Sequence, residues 1–209
     1  MKTINIFLAT AILLVACNEN RSTKTNAKTD TANRSHQHIK SENVMMKAMD
    51  ESMLAMHKVK PTGNADYDFA AMMIPHHEGA IVMAKAQIES GKSTALFSFA
   101  RGVIADQEKE IAALREFLTT GISNPSENSE KFKSALNGSM KPMMDGMAKA
   151  KLSGNVDHDF VTLMIPHHQS AVDMAKAYLP FAQNAKIKEM ATAIIKAQET
   201  EIKWLQHYL

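Results

Sequence analysis

The sequence predicts an all-α protein built from two homologous three-helix repeats, and three observations carry that prediction. Aromatic residues are only 6% of the 209-residue chain, and no segment alternates apolar and polar residues as a half-buried strand does. From Val44 onward Ala, Met, Lys, Glu and Ile dominate, a composition weighted to good helix formers. The third observation is repetition: Met72-Met73-Ile74-Pro75-His76-His77 returns 91 residues later as Leu163-Met164-Ile165-Pro166-His167-His168. Twelve of the twenty residues from 66 to 85 are identical to their counterparts from 157 to 176. The register holds on both sides. Met49, Met53, Met56, Gly63 and Asn64 recur as Met140, Met144, Met147, Gly154 and Asn155, and Gln107, Glu108, Glu110, Ile111 and Leu114 recur as Gln198, Glu199, Glu201, Ile202 and Leu205. No insertion separates the copies over this span, which argues for two equivalent halves rather than a loose array.

Residues 1–17 stand apart from the fold. Lys2 supplies a short positive region, Ile4 to Val15 an apolar run too short to span a bilayer, and Leu14-Val15-Ala16-Cys17 follows. This resembles a bacterial lipoprotein signal, which implies cleavage before Cys17, lipidation of that cysteine and a mature protein anchored to a membrane of the cell envelope, periplasmic or on the outer surface. Cys17 is the only cysteine, so the mature chain has no disulfide. Residues 18–43, rich in Asn, Thr, Lys and Ser, bury too little apolar surface to order themselves and form a tether. His36 and His38 within it are read as solvated.

Residues 44–120 form the first repeat. Its first helix spans about Val44 to Lys58 and stops at Pro61 and Gly63. The second begins near Asp66, whose carboxylate can cap free amides, and runs to Ser90 before Gly91. The third begins near Ser93 and ends by Leu118. Residues 121–130, with Pro125 and several Asn and Ser, form a linker. In the second repeat, 131–209, the corresponding helices are expected over about Glu130 to Lys151, Asp157 to Leu179 and Phe181 to Leu209. Pro180 stands where the first repeat has Glu89 and predicts a sharper break.

The residues that carry chemistry are the paired histidines and the methionines beside them. On an ideal helix Met72, His76 and Met83 lie within about 40° of one another, while Met73 and His77 form an i, i+4 pair about 100° round. Thioether sulfur and imidazole nitrogen suit Cu(I), and imidazole also suits Cu(II), so a His/Met cluster can hold copper through a redox change. Comparison of the copies sorts the candidates. Met73, His76, His77 and Met83 recur as Met164, His167, His168 and Met174, whereas Met72 becomes Leu163 and Glu78 becomes Gln169. Pro75 and Pro166 remove an amide and push on the carbonyls of Ala71 and Thr162, which would bend each helix at its histidines or simply occupy a tolerated kink.

A second methionine stripe lies on the first helix of each half, with Met45, Met49, Met53 and Met56 in one and Met140, Met143, Met144 and Met147 in the other. Such a stripe is ordinarily core. With 16 methionines in the chain, additional soft-metal contacts weigh equally. Gln107 and Gln198 fall on apolar helix faces and need partners, either a ligand histidine's second nitrogen or another helix. Glu108, Glu110, Glu199 and Glu201 read as solvated or salt-bridged.

Asp66-x-Asp68-Phe69, Met-Ile-Pro-His-His, Met83-Ala84 and Gln107-x-x-Glu110-Ile111 together resemble the DUF305 family, over residues 45–118 and 136–209. The resemblance implies a ferritin-like helical bundle and metal handling, with copper the leading metal. The expected function is a lipid-anchored extracytoplasmic protein that buffers, sequesters or delivers copper, free of any enzymatic step and exchanging the ion with a protein partner that the sequence does not name. A metal-free structural module is the alternative. A carboxylate-metal oxidase is disfavoured because no histidine follows a glutamate by three residues, as that chemistry uses. The net charge of +2 comes with no basic stripe interleaved with aromatics, so no nucleic acid is expected as partner. No nucleophile with a positioned base and no glycine-rich phosphate loop is visible, and no catalytic residue is assigned.

Overall fold

In the computed structural model, residues 43–121 and 124–209 are described. The signal, Cys17, His36 and His38 lie outside them. Among the described residues every regular element is helical: α1 (Val44–Lys58), α2 (Ala65–Ser90), α3 (Thr94–Leu118), α4 (Ser129–Ser139), α5 (Lys141–Lys149), α6 (Val156–Tyr178) and α7 (Ala185–Leu205). None is long and apolar enough to cross a membrane.

Five of these helices begin on a side-chain cap that satisfies an otherwise free amide. Asn43 accepts from Met45 and Met46, Asn64 from Tyr67, Ser93 from Leu96, Asn155 from His158 and Asn184 from Ile187. Asn64, not Asp66, therefore caps α2. The single helix expected over 130–151 is two, because Pro142 lacks the amide that would carry the ladder through Met140; it sits instead in the first turn of α5. The break expected at Pro180 is a short 3-10 turn, Leu179–Phe181, so α7 starts later than the pattern indicated.

The recurring Asp-x-Asp motif serves two purposes. Asp68 accepts from the Thr62 amide and hydroxyl, both at 2.7 Å, and from the Gly63 amide at 3.1 Å. Asp159 does the same for Ser153 and Gly154. Each ties down the turn before its own helix, where Gly63 (φ 84°) and Gly154 (φ 79°) take a left-handed conformation that a β-carbon disfavours. The other aspartate reaches across to the opposite half. Asp66 accepts from the Tyr178 hydroxyl and from the Gln183 and Asn184 amides, and Asp157 accepts from Gln87 Nε2 and from the Lys92 and Ser93 amides. The start of each long helix is thus fastened to the end of the other.

These fastenings require α2 and α6 to run antiparallel, and the core agrees. Met83 of α2 packs with Met164 of α6 in one apolar cluster, and Met73 packs with Met174 in the other. The clusters exchange equivalent residues: Met49, Ala80 and Phe160 lie in one, and their counterparts Met140, Ala171 and Phe69 lie in the other. Such an exchange is what a pseudo-two-fold axis between the halves produces. The result is an all-α, ferritin-like bundle in which α3 packs on α2 and α7 on α6, with α1 lying against α2 and α6, and α4 and α5 against α6. Neither half has a core of its own.

Candidate metal centre

His76 and His167 meet where α2 crosses α6. Their ring centroids are 3.9 Å apart, and all four repeated histidines, His76, His77, His167 and His168, are 0% exposed. Met73, Met83, Met164 and Met174 are also 0% exposed, one pair in each apolar cluster flanking the crossing. The 100° separation of successive helix residues sends the paired histidines in different directions. His76 and His167 point at each other. His77 and His168 turn toward α3 and α7, where Glu110 Oε2 lies 2.7 Å from His77 Nε2 and Glu201 Oε2 lies 3.0 Å from His168 Nε2.

Hydrogen bonding fixes one tautomer. Ser170 Oγ donates its only proton to the His167 carbonyl at 2.9 Å, so at 2.5 Å it accepts from His76 Nε2–H. His76 Nδ1 is then a bare lone pair, and it is buried without a partner. In the first half Gly79 occupies the position of Ser170, so His167 gains no matching hydroxyl. A β-carbon at Gly79 would lie 2.7 Å from Ser52 Cβ and 3.3 Å from His167 Nε2. Both ring nitrogens of His167 are buried without partners.

Burial holds the titration of His76 well below the ordinary imidazole value, with His77 and His168 adding charge repulsion and a contact to the His167 backbone working the other way. Burial likewise lowers His167, followed by repulsion from His76, His168 and His77. Both rings are consequently neutral at neutral pH and offer lone pairs. Unpartnered nitrogens in an apolar interior are costly unless something coordinates them. Among the described residues no three His, Cys, Asp or Glu side chains gather as a ready-made cage. Thioether sulfur would therefore have to help complete a shell, and a soft ion that accepts imidazole and thioether fits this donor set.

The other sequence candidates divide. Met49, Met56 and Met140 are buried within the two clusters; Met53 and Met147 pack at their edges. Met144 is 41% exposed and does not join them, while Met143, 2% exposed, does. Helix α5 begins anew at Lys141, with Pro142 in its first turn, and Met140, Met143 and Met147 of the expected stripe stay against the core while Met144 leaves it. Gln107 and Gln198 are buried as expected, yet the side chains that reach His77 and His168 are Glu110 and Glu201. Each glutamate lies one turn beyond its glutamine, a spacing on which the sequence cannot distinguish a buried partner from a solvated one. Glu199 is salt-bridged to Lys176 at 2.7 Å. Ser170 carries no repeat signal in the sequence, because the other copy has Gly79 at that position.

Fold and centre together define a helical-bundle protein with a buried histidine and methionine interior. The chain belongs to the DUF305 family, a domain of unknown function, whose model matches residues 13–118 and 119–209. Among solved structures it is similar to CopM in the Ag-bound form and in the Cu(II)-bound form, each at TM-score 0.53, and to CopM in the Cu(I)-bound form at 0.51. In each case sequence identity is 28% over 68% of this chain, covering 93% of the Ag-bound chain and 94% of the copper-bound ones. No curated protein matches.

Proposed function

We propose that this chain is an exported, lipid-anchored copper-binding protein that buffers, sequesters or passes on the ion without an enzymatic step. The observation that carries the reading is the His76–His167 contact, sealed from water and flanked by Met73, Met83, Met164 and Met174. Similarity to CopM structures holding Cu(I), Cu(II) and silver supports copper as the cargo. Neutral imidazoles supply nitrogen donors, the four methionines supply sulfur, and exclusion of water favours the monovalent ion. Methionine contacts are individually weak and adaptable, which suits an ion that has to leave again. The lipoprotein signal at Cys17 supports a membrane-anchored location.

The test is titration of the mature protein with Cu(I) and Cu(II), repeated with His76, His77, His167 and His168 all changed to Ala. Affinity for Cu(I) should fall by more than the ~100-fold that loss of a supporting contact around a metal typically costs. Unchanged affinity in that variant would remove the histidines from the site.

A further inference from the structure

The two ends of the bundle are not alike. The starts of α3 and α6 and the segment after α7 share one end: Asp157 accepts from the Lys92 and Ser93 amides, and Leu96, Asn155 and Tyr208 line one cavity of about 430 Å³. The chain enters α1 at this same end, where Asn43 Nδ2 donates to Asp159 Oδ2 at 2.9 Å. Aromatic rings gather there. Phe99 stacks on Trp204 with centroids 4.7 Å apart, and Trp204 meets Tyr208 at 4.6 Å. Phe97 in the first turn of α3 and Tyr208 are each 39% exposed, and Leu209 is 71% exposed.

Repetition separates these rings from the packing that both halves need. The corresponding positions at the other end hold Lys188 for Phe97, Met190 for Phe99, Ala113 for Trp204 and Phe117 for Tyr208. Phe117 packs against the apolar cluster there, and that end carries the ion pair of Lys186 with Glu116, at 3.1 Å, where the first has its ring stack. A requirement of the fold would be met alike in both copies. The stack and the exposed Phe97 are additions at one end. Aromatic side chains with an apolar body and a polar tip settle where lipid headgroups meet acyl chains.

We propose that the end holding Asn43, Phe97, Trp204 and Tyr208 is a membrane-docking surface, and that it rests on the bilayer that carries the chain's own anchor. The occupant follows from where the chain enters the fold. Residues 18–42 join the expected lipidated Cys17 to Asn43, and these 25 residues reach about 90 Å at most when fully extended. Confinement within that reach gives the lipid surface a millimolar effective concentration at the bundle, so a shallow contact made by a few rings is sufficient. No described helix is able to cross a membrane, so the contact is interfacial. Docked in this way, the bundle turns its Lys186 and Glu116 end away from the membrane. The proposal rests on the lipid-anchored reading and adds an orientation to it.

Trp204 is the only tryptophan in the chain, so its fluorescence reports this end alone. The mature chain with Cys17→Ser, which carries no lipid, is mixed with phosphatidylcholine vesicles at the millimolar lipid concentration that the tether imposes. Trp204 emission should shift to the blue and be quenched when the acyl chains are brominated. Phe97→Ser combined with Tyr208→Ser should weaken vesicle partition about tenfold. Leu54→Ser, at a position 55% exposed midway along α1, should leave partition unchanged. Absence of quenching, or equal losses in the two variants, overturns the docking surface. So does a stable dimer that shields Trp204 and excludes vesicles. Quenching is read with this end unaltered, so it decides even where a variant fails to fold. Palmitate labelling of the exported chain reads the anchor separately: failure to label Cys17 would count against the lipid-anchored reading and leave the fluorescence result standing.

Discussion

A single hydroxyl distinguishes the two histidines at the crossing. Ser170 gives His76 a fixed proton on Nε2, whereas His167, facing Gly79, is held only by packing. Both rings titrate well below their unfolded value because burial disfavours the imidazolium. The sign of the stability effect follows. Between the depressed native value and the unfolded value near 6.5, the unfolded chain binds protons that the native chain refuses. Stability is therefore full above about pH 6.5 and falls as the solution is acidified from there. Urea unfolding of the metal-free protein between pH 7.5 and 5 should show this decline, and changing His76 and His167 together to Gln should flatten it; a pH-independent wild type would contradict the burial argument. The repeat made the paired histidines legible in the sequence. The tautomer was not, because Ser170 meets His76 only across the α2–α6 crossing.

Between elements, the aspartates at the start of α2 and α6 act as cross-half fasteners. Asp66 gathers three donors from the end of α6 and the entry to α7, and burial, followed by the hydrogen bond to Asp66 and its charge, raises the titration of the Tyr178 hydroxyl. Asp66→Asn removes the charge and one acceptor oxygen from this cluster. A hydrogen bond to a charged group contributes about 1.5–3 kcal/mol, and the variant should lose stability of that order in denaturant unfolding. The loss should exceed that for Asp106→Asn, which alters an exposed side chain on α3. Equal losses would mean that Asp66 serves no fastening role. The sequence showed that Asp66 could cap free amides, but those amides belong to the other half, a choice made only by antiparallel packing. Helices α1, α2 and α3 were legible from caps and stops within their own chain segments. The split of α4 from α5 is not legible, because Pro142 lies inside a run whose methionines keep helical spacing.

At the scale of the whole molecule, both apolar clusters draw residues from both repeats, so one repeat alone leaves part of each cluster uncovered. Burial of a methionine or phenylalanine side chain is worth about 1.5–3 kcal/mol, and several such side chains would return to water together. Residues 44–120 produced alone should therefore fail to form a folded monomer. Sedimentation and near-ultraviolet circular dichroism would check this, and a monomer with cooperative unfolding would refute it. By itself the sequence determined the helical class, the duplication, and which histidines and methionines the two copies share, because periodicity, caps and repetition are local or self-comparing signals. Only the tertiary structure decided that His76 faces His167, that His77 and His168 face Glu110 and Glu201, and that Met144 faces outward. The physical reason is that a helix face acquires its meaning from what packs against it, and the antiparallel crossing of α2 and α6 sets that partner for each of these residues.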